Sequence, residues 1–157
     1  MRIIVISDSH KRSDIIEKIL FAQPNATEVF FLGDCVNDIE DFEFLFPNFK
    51  FNVVSGNCDF FSVVPTTKVA NVSGKGIFYT HGHTLGVKGS REHLKKAALQ
   101  SGCQIALYGH THVSKTLYED GMWIVNPGSC SQSRNGPPSS AVIDITEKGI
   151  MPIIIDI

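Results

Sequence analysis

The chain contains 157 residues, of which 43% are hydrophobic and 19% are charged, and its formal net charge is −2. This composition is typical of one globular domain and excludes a chain that is mainly disordered. The lysines and arginines form no basic stripe, which disfavours a nucleic acid as the binding partner. No apolar run approaches the length of a membrane span, so no membrane partner is expected.

The start of the chain and the cysteines bear on the cellular compartment. A strand-like run begins directly after Arg2, is too short for the core of a signal peptide, and is not followed by a small-residue cleavage site. The four cysteines show no C-x-x-C spacing, which indicates neither a zinc ribbon nor a disulfide framework. The sequence therefore predicts a cytoplasmic protein with reduced thiols.

The first part of the chain is predicted to form three strands separated by two helices. Apolar runs predict strands at residues 2–7, 28–32 and 51–54. A helix with Ser13 as its N-cap follows the first strand, and a second helix over residues 39–46 ends at Pro47. Asp38 lies at the predicted start of this second helix, where a capping role is the simplest interpretation. The βαβαβ order is typical of an open α/β sheet.

The rest of the chain is predicted to be rich in strands. Residues 69–72 and 76–80 are predicted to form a hairpin, and Ser90 and Gly102 are expected to begin and end a third helix. Further strands are predicted at residues 104–107, 115–118, 122–125, 140–145 and 150–155. We therefore expect a second sheet packed on the first, within one α/β domain over residues 1–157.

Polar side chains follow five of these predicted strands. They are Asp8, His10, Asp34, Asn57, His81, His110 and His112. An extended segment projects residues two apart to the same side, so the last two imidazoles are presented together. Because open α/β sheets bind ligands beyond the carboxyl ends of their strands, these side chains are expected to form one site.

These seven oxygen and nitrogen donors suit two divalent cations better than one. A single tetrahedral site takes four ligands and would leave the other buried polar groups in need of partners. One aspartate that bridges two ions would complete two four-ligand sets. Two such ions lower the pKa of a bridging water and stabilise both oxygens of an in-line displacement at phosphorus. Ligand hardness favours manganese, although imidazole-rich sets also take Ni, Fe or Zn.

Five short motifs carry a family resemblance. Asp8-Ser9-His10, Gly33-Asp34, Gly56-Asn57, His81-Gly82-His83 and Gly109-His110-Thr111-His112 resemble, in the same order, the motifs of calcineurin-like metallophosphoesterases. The segment Asn126-Pro127-Gly128-Ser129 adds a resemblance to the small YfcE-type phosphodiesterases of that superfamily. The resemblance extends over nearly the whole chain, and five motifs in the right order are far more specific than any one of them.

The resemblance implies both a fold and a site. The implied fold is a metallophosphoesterase-like four-layer α/β/β/α arrangement, in which helices flank a two-sheet sandwich. One implied metal site consists of Asp8, His10, Asp34 and His112. The other consists of Asp34, Asn57, His81 and His110, with Asp34 as the bridge. The implied reaction is hydrolysis of a small phosphate ester, with a phosphodiester favoured over a monoester, by in-line attack of the bridging water, with Asp34, Asn57 and His81 at the catalytic centre.

Several other polar residues have more than one possible role. Cys58 occupies the place where many superfamily members have a histidine that protonates the leaving group, and a thiol is a weak donor, so the general acid is unassigned. His83 is a further catalytic candidate that could also support a ligand or point to solvent. Asn126 and Ser129 are candidates for phosphate binding or for a tight turn, and Arg134 could bind phosphate in a bidentate manner. Asp59 is expected to orient the loop around Asn57.

The sequence leaves two alternative functions open. A non-catalytic scaffold, like the phosphoesterase-like subunit of retromer, would keep the fold but would be free to lose pocket histidines; this chain retains the full ligand set. A nuclease of the double-strand-break-repair branch is disfavoured by the balanced charge and the lack of DNA-binding extensions. The many phenylalanines between residues 44 and 61 exceed what the core needs and leave a homo-oligomer open.

Overall fold

Ten strands form two mixed sheets in the computed structural model, which describes all 157 residues. The first sheet contains β1 (Arg2–Ile6), β2 (Glu28–Phe31), β3 (Lys50–Val53), β9 (Ser139–Thr146) and β10 (Gly149–Asp156). The second contains β4 (Thr67–Val72), β5 (Lys75–Thr80), β6 (Ile105–Leu107), β7 (Lys115–Glu119) and β8 (Met122–Asn126). The helices are α1 (Ser13–Ala22), α2 (Phe42–Leu45) and α3 (Glu92–Gln100), and two short 3₁₀ helices span Val36–Ile39 and His83–Leu85.

Both sheets are built around three parallel strands. The first sheet has the order β10-β9-β1-β2-β3, in which β1, β2 and β3 are parallel. The second has the order β4-β5-β6-β8-β7, in which β5, β6 and β8 are parallel. The carboxyl ends of parallel strands meet at one edge of a sheet, so each sheet collects its strand-end loops on one side.

The pleat of the strands produces four layers. Ile3 and Val5 of β1 face the core between the two sheets, whereas Ile4 and Ile6 face a second cluster that contains Ile16 of α1. In the second sheet, Phe78 faces a third cluster under α3. The observed order is therefore helices, sheet, sheet and helix, which confirms the predicted fold. None of the helices combines the length and the apolar character that a membrane span requires.

Several local predictions hold because turn chemistry dictates them. Ser73 and Gly74 both have positive φ values, of 49° and 77°, as a two-residue hairpin between β4 and β5 requires. Gly102 has a φ of 68° and follows Ser101, the C-cap of α3, which agrees with the predicted end of the helix. Ser90 accepts a 3.2 Å hydrogen bond from the N–H of Glu92, the first residue of α3.

The region around the second predicted helix differs from expectation. Instead of one helix over residues 39–46, the chain forms a 3₁₀ turn at Val36–Ile39 and a single α-turn at Phe42–Leu45. The Asp38 carboxylate caps no helix, because it accepts hydrogen bonds from Ser9 Oγ at 2.6 Å and Lys11 N at 2.8 Å. Ser13 was also wrongly predicted as an N-cap: it is the first residue of α1, and no side chain caps that helix. The hydrogen bonds of Asp38 to residues distant in sequence explain why residues 39–46 do not form the predicted helix.

Candidate metal centre

The structure brings all seven predicted ligands to one edge of the sandwich. The first sheet contributes the loops after β1, β2 and β3, and the second sheet contributes the loops after β5 and β6. In chain order these loops carry Asp8, His10, Asp34, Asn57, His81, His110 and His112. The site therefore lies across the open end of the two sheets.

The first group comprises Asp8, His10, Asp34 and His112, whose ligand atoms all lie within 4.8 Å of one another. Nε2 of His112 is 3.1 Å from Oδ1 of Asp8 and 3.2 Å from Nε2 of His10. Nε2 of His10 lies 4.0 Å from Oδ2 of Asp34. Asp8, Asp34 and His112 are buried, so this group is largely shielded from solvent.

The second group surrounds Nε2 of His81. This nitrogen lies 3.1 Å from Oδ1 of Asn57, 3.1 Å from Nδ1 of His110 and 3.5 Å from Oδ1 of Asp34. Asp34 thus presents Oδ2 to the first group and Oδ1 to the second. The resemblance in the motifs implies the same division for a bridging Asp34, and the role of these side chains as metal ligands stays a prediction.

Backbone carbonyls orient the imidazoles that face these groups. Nδ1 of His81 lies 2.7 Å from the Leu32 carbonyl, and Nδ1 of His112 lies 2.7 Å from the Gln132 carbonyl. A carbonyl only accepts, so Nδ1 carries the proton and Nε2 presents a lone pair to the site. Sequence reasoning missed these two carbonyls, since every residue has one and only the fold selects which are used.

One buried carboxylate oxygen depends on a histidine nitrogen for its partner. Oδ1 of Asp8 is buried, its neighbour is Nε2 of His112 at 3.1 Å, and it has no hydrogen-bond donor while that nitrogen is unprotonated. A bound cation would satisfy both atoms, so the donor set fits divalent metal ions.

The electrostatics of the site follow from burial and from this crowding. Burial, and secondarily the nearby His81, lower the pKa of His110 to about 4, which keeps its ring neutral at pH 7. Burial tends to raise the pKa of Asp8, but the hydrogen bond that protonated His112 would make, the proximity of His81 and the hydrogen bond from Ser7 lower it overall. The pKa of His112 is raised chiefly by its hydrogen bond with Asp8. A proton and a metal ion therefore compete for the same nitrogen.

The ligand loops have an unusual backbone conformation. Five of the seven residues have positive φ values, from 46° at His10 to 66° at His110, and Asp8, Asp34 and His112 lie between. Such conformations cost on the order of 1–3 kcal/mol each for residues with a side chain. They persist because the surrounding hydrogen bonds fix the loops, so the ligand directions are set by the fold.

Asp59 supplies much of this fixation, as predicted. Its carboxylate accepts hydrogen bonds from the backbone N–H groups of Asp34, Cys35, Val36 and Gly56, at 2.7–3.0 Å. A single side chain therefore connects the loop after β2 to the loop after β3. The sequence signal was its position two residues after Asn57; the number of bonds became apparent only from the fold.

Two glycines of the motifs are required by close approach. A Cβ on Gly56 would overlap Oδ1 of Asp34, and a Cβ on Gly109 would overlap Oγ of Ser7. Any larger residue at either position would displace a candidate ligand loop. The Gly-Asn and Gly-His pairs of the sequence are thus explained by space at the site.

Asn126 and Ser129, predicted to bind substrate, are buried and hydrogen-bonded within the protein. Asn126 Nδ2 donates to the Gly109 carbonyl and to Thr111 Oγ1, both at 3.0 Å. Ser129 Oγ donates to the Asp8 carbonyl at 2.7 Å and accepts from Gln132 N. Both side chains therefore support the loops that carry the candidate ligands, and this geometry favours positioning over direct contact with phosphate.

The remaining candidates lie at the rim. The backbone N–H of Arg134 donates to the His112 carbonyl at 3.0 Å, and its side chain is exposed. The ring of His83 lies 5.3 Å from that of His81 and 6.1 Å from that of His110, and its buried Nδ1 has no partner. Burial, and secondarily the carboxylate of Asp34, raise the pKa of the Cys58 thiol to about 11. The thiol therefore stays protonated at neutral pH.

Comparisons with known proteins identify several phosphoesterases that are similar to this chain. A model of the calcineurin-like phosphoesterase superfamily domain matches residues 1–148. The Bacillus subtilis protein named "Probable metallophosphoesterase YsnB" is 28% identical over 82% of this chain and 75% of its own length. A Methanocaldococcus jannaschii phosphodiesterase is 25% identical over 99% of this chain and all of its own. A predicted phosphoesterase from Streptococcus pneumoniae has a similar structure, with a TM-score of 0.84 and 29% identity over 99% of this chain and 88% of that chain.

A further relative has a name of a different kind. Vacuolar protein sorting-associated protein 29 of Schizosaccharomyces pombe is 31% identical over 61% of this chain and 49% of its own length. This match is shorter than those to the two phosphoesterases, and the name of this relative does not describe a phosphoesterase.

Proposed function

Because the chain belongs to the calcineurin-like phosphoesterase superfamily, we propose that it is a metal-dependent phosphoesterase that hydrolyses small phosphodiesters. The observation that carries this proposal is the convergence of seven candidate ligand side chains at one edge of the sandwich, four of them buried, with Asp34 between two groups of them. The name of the archaeal relative, a phosphodiesterase, supports the preference for diesters over monoesters.

Two divalent ions, with manganese first and Ni, Fe or Zn as alternatives, are the proposed cofactors. Asp8, His10, Asp34 and His112 would hold one ion, and Asp34, Asn57, His81 and His110 would hold the other. When bound, the ions lower the pKa of a water between them and stabilise the charge of the phosphoryl oxygens. The protein contributes fixed ligand directions, through the carbonyls of Leu32 and Gln132 and through the four bonds of Asp59.

The site lacks a strong proton donor for the leaving group. The Cys58 thiol is a poor donor, since its pKa is raised to about 11 by burial and Asp34. The ring of His83 lies 5.3 Å from that of His81 and is the other candidate to contact the substrate. We therefore propose that diesters with good leaving groups are cleaved best. Replacing Cys58 by His should flatten the dependence of kcat on leaving-group pKa, and an unchanged dependence would remove Cys58 from the mechanism.

The compartment is proposed from the thiols. All four cysteines are free, which fits a reducing environment such as the cytoplasm.

The test of the function is metal-dependent turnover. Metal-stripped protein would be assayed with a nitrophenyl phosphodiester and the matching monoester after addition of Mn²⁺, Ni²⁺, Fe²⁺ or Zn²⁺. We expect diester cleavage that requires metal and falls at least a thousandfold in Asp34→Asn, since both ligand groups use this carboxylate. Asp41→Asn, which removes an exposed carboxylate on the connection to β3, is the matched control and should retain full activity.

The scaffold alternative makes the opposite prediction. It is supported by the similarity to the vacuolar sorting protein. If the protein binds metal but cleaves neither ester with any of the four ions, the phosphodiesterase proposal is wrong and the scaffold function takes its place.

A further inference from the structure

A groove of about 810 Å³ begins beside the candidate metal centre. Its lining includes Lys11, Cys35 and Cys58, which directly follow the candidate ligands His10, Asp34 and Asn57 in the chain. The N–H of Cys58 also donates to Oδ1 of Asp34 at 2.8 Å. The groove therefore adjoins the loops that carry three of the candidate ligands, and its volume is in the range of small-ligand sites.

The outer walls of this groove are apolar. Phe51 and Val53 of the edge strand β3 form one wall, and the loop after Asp59 brings Phe60, Phe61 and Val63 to another. The exposed fractions of Phe60, Phe61 and Val63 are 84%, 99% and 98%. Large apolar side chains that contact little of their own protein, beside a polar site, indicate a surface for an apolar group.

The charges around the groove restrict the charge of a group that binds there. Four carboxylates line it, from Asp38, Glu40, Glu43 and Asp59, against the two ammonium groups of Lys11 and Lys68. The excess of negative charge repels a second phosphate or any other anionic substituent. A nucleic-acid strand or a polyphosphate is disfavoured for the same reason.

We propose that the groove binds one ester arm of the phosphodiester substrate, and that this arm is uncharged and bears an aromatic ring. The inference rests on the proposed function, because the phosphate must sit at the metal centre for the arm to lie in the groove. It assigns the substrate class: a diester with a flat, apolar arm. Phe60 and Phe61 are the specificity-determining residues, and they stack against the ring.

The experiment measures binding of three probes to Mn²⁺-loaded protein by calorimetry: inorganic phosphate, methyl phosphate and phenyl phosphate. The two esters are products of diester cleavage and differ only in the remaining arm. Phenyl phosphate should bind the wild type about tenfold more tightly than methyl phosphate. Replacing both Phe60 and Phe61 by Ala should reduce this ratio to about twofold and leave the affinities for phosphate and methyl phosphate unchanged.

Two controls sharpen the result. Phe44→Ala removes another exposed ring, which lies outside the groove, and should keep the tenfold ratio. A para-carboxylate on phenyl phosphate should weaken binding to the wild type severalfold, and Glu40→Gln combined with Glu43→Gln should restore it.

Equal affinity of the wild type for the two esters would overturn the proposal, as would a tenfold ratio that survives loss of both rings. A double variant that keeps the ratio but changes the oligomeric state would show that the rings contact a second copy of the chain instead. If the ratios hold but no diester is hydrolysed, the groove assignment stands as a binding site and the proposed function fails.

Discussion

At the scale of the residue, Asp59 is the side chain on which the geometry of the site depends most. Its carboxylate accepts four backbone N–H groups from two loops. An asparagine keeps one acceptor oxygen and turns an amide N–H₂ group toward donors. We expect Asp59→Asn to lower the free energy of unfolding by about 2–3 kcal/mol and the Mn²⁺ affinity by about 10–100-fold. Urea denaturation and calorimetry measure the two effects, and Asp41→Asn is the control; unchanged Mn²⁺ affinity would contradict the positioning role.

Gly56 permits the approach of Asp34, and a single methyl group tests this. The added Cβ would overlap Oδ1 and the backbone N of Asp34. Gly56→Ala is expected to cost about 1–3 kcal/mol of stability through overpacking and to weaken metal binding at least tenfold, because the shared carboxylate must move. Gly89→Ala is the matched control, since a Cβ there meets only the Gly86 carbonyl at an ordinary 3.7 Å. Equal metal affinities of the two variants would show that the loop adjusts without displacing Asp34.

At the scale of the element, an ion pair connects β1 and β9 at positions that lie directly opposite each other in the sheet. Arg2 and Asp144 are cross-strand partners, and the guanidinium donates from Nε and from a terminal nitrogen, both at 2.8 Å, to the two carboxylate oxygens. Its hydrogen bond with Arg2 lowers the pKa of Asp144. Asp144→Asn should cost about 0.5–1 kcal/mol at pH 7, a small value because both side chains are partly exposed.

The same pair has a pH dependence of known sign. A carboxyl group with a lowered pKa in the folded state contributes its full stability above the unfolded value, about 3.9, and loses it as the pH falls through the lower folded value. The stability difference between wild type and Asp144→Asn should therefore be constant above about pH 4.5 and should vanish in stronger acid. Glu147→Gln, at an exposed turn, is the control. A difference that grows in acid would contradict this ionic origin.

Elements dominated by local chemistry were predictable from the sequence. The apolar runs located the strands, and Gly102 marked the end of α3 because only a residue tolerant of positive φ fits there. The conformation of residues 36–46 was not predictable, because the hydrogen bonds from Ser9 and Lys11 to Asp38 join parts of the chain that are distant in sequence. The same limit applies to the site: motifs predicted that seven candidate ligands lie at the ends of strands, whereas the burial of Asn126 and Ser129 depends on packing.

At the scale of the whole molecule, the candidate metal centre joins the two sheets. Asp8, His10, Asp34 and Asn57 belong to loops of the first sheet, and His81, His110 and His112 belong to loops of the second. Without a cation, the acceptors at this edge face one another, and Oδ1 of Asp8 has no donor while Nε2 of His112 is unprotonated. Metal binding would replace this repulsion by bonds that cross the interface between the sheets, which exist only in the folded state.

Loading with metal should therefore raise the melting temperature of the entire domain. At an ion concentration one hundred times Kd, binding to the native state alone adds about 2.7 kcal/mol, which corresponds to an increase in Tm of about 5–10 °C for a chain of this length. Calorimetric scans of the stripped protein with Mn²⁺ and with a chelator measure the shift. Asp34→Asn should lose most of it, because this carboxylate serves both ligand groups, and Asp41→Asn should retain it. A Tm that is the same with Mn²⁺ and with chelator in the wild type would show that the edge is a polar cluster without a metal function.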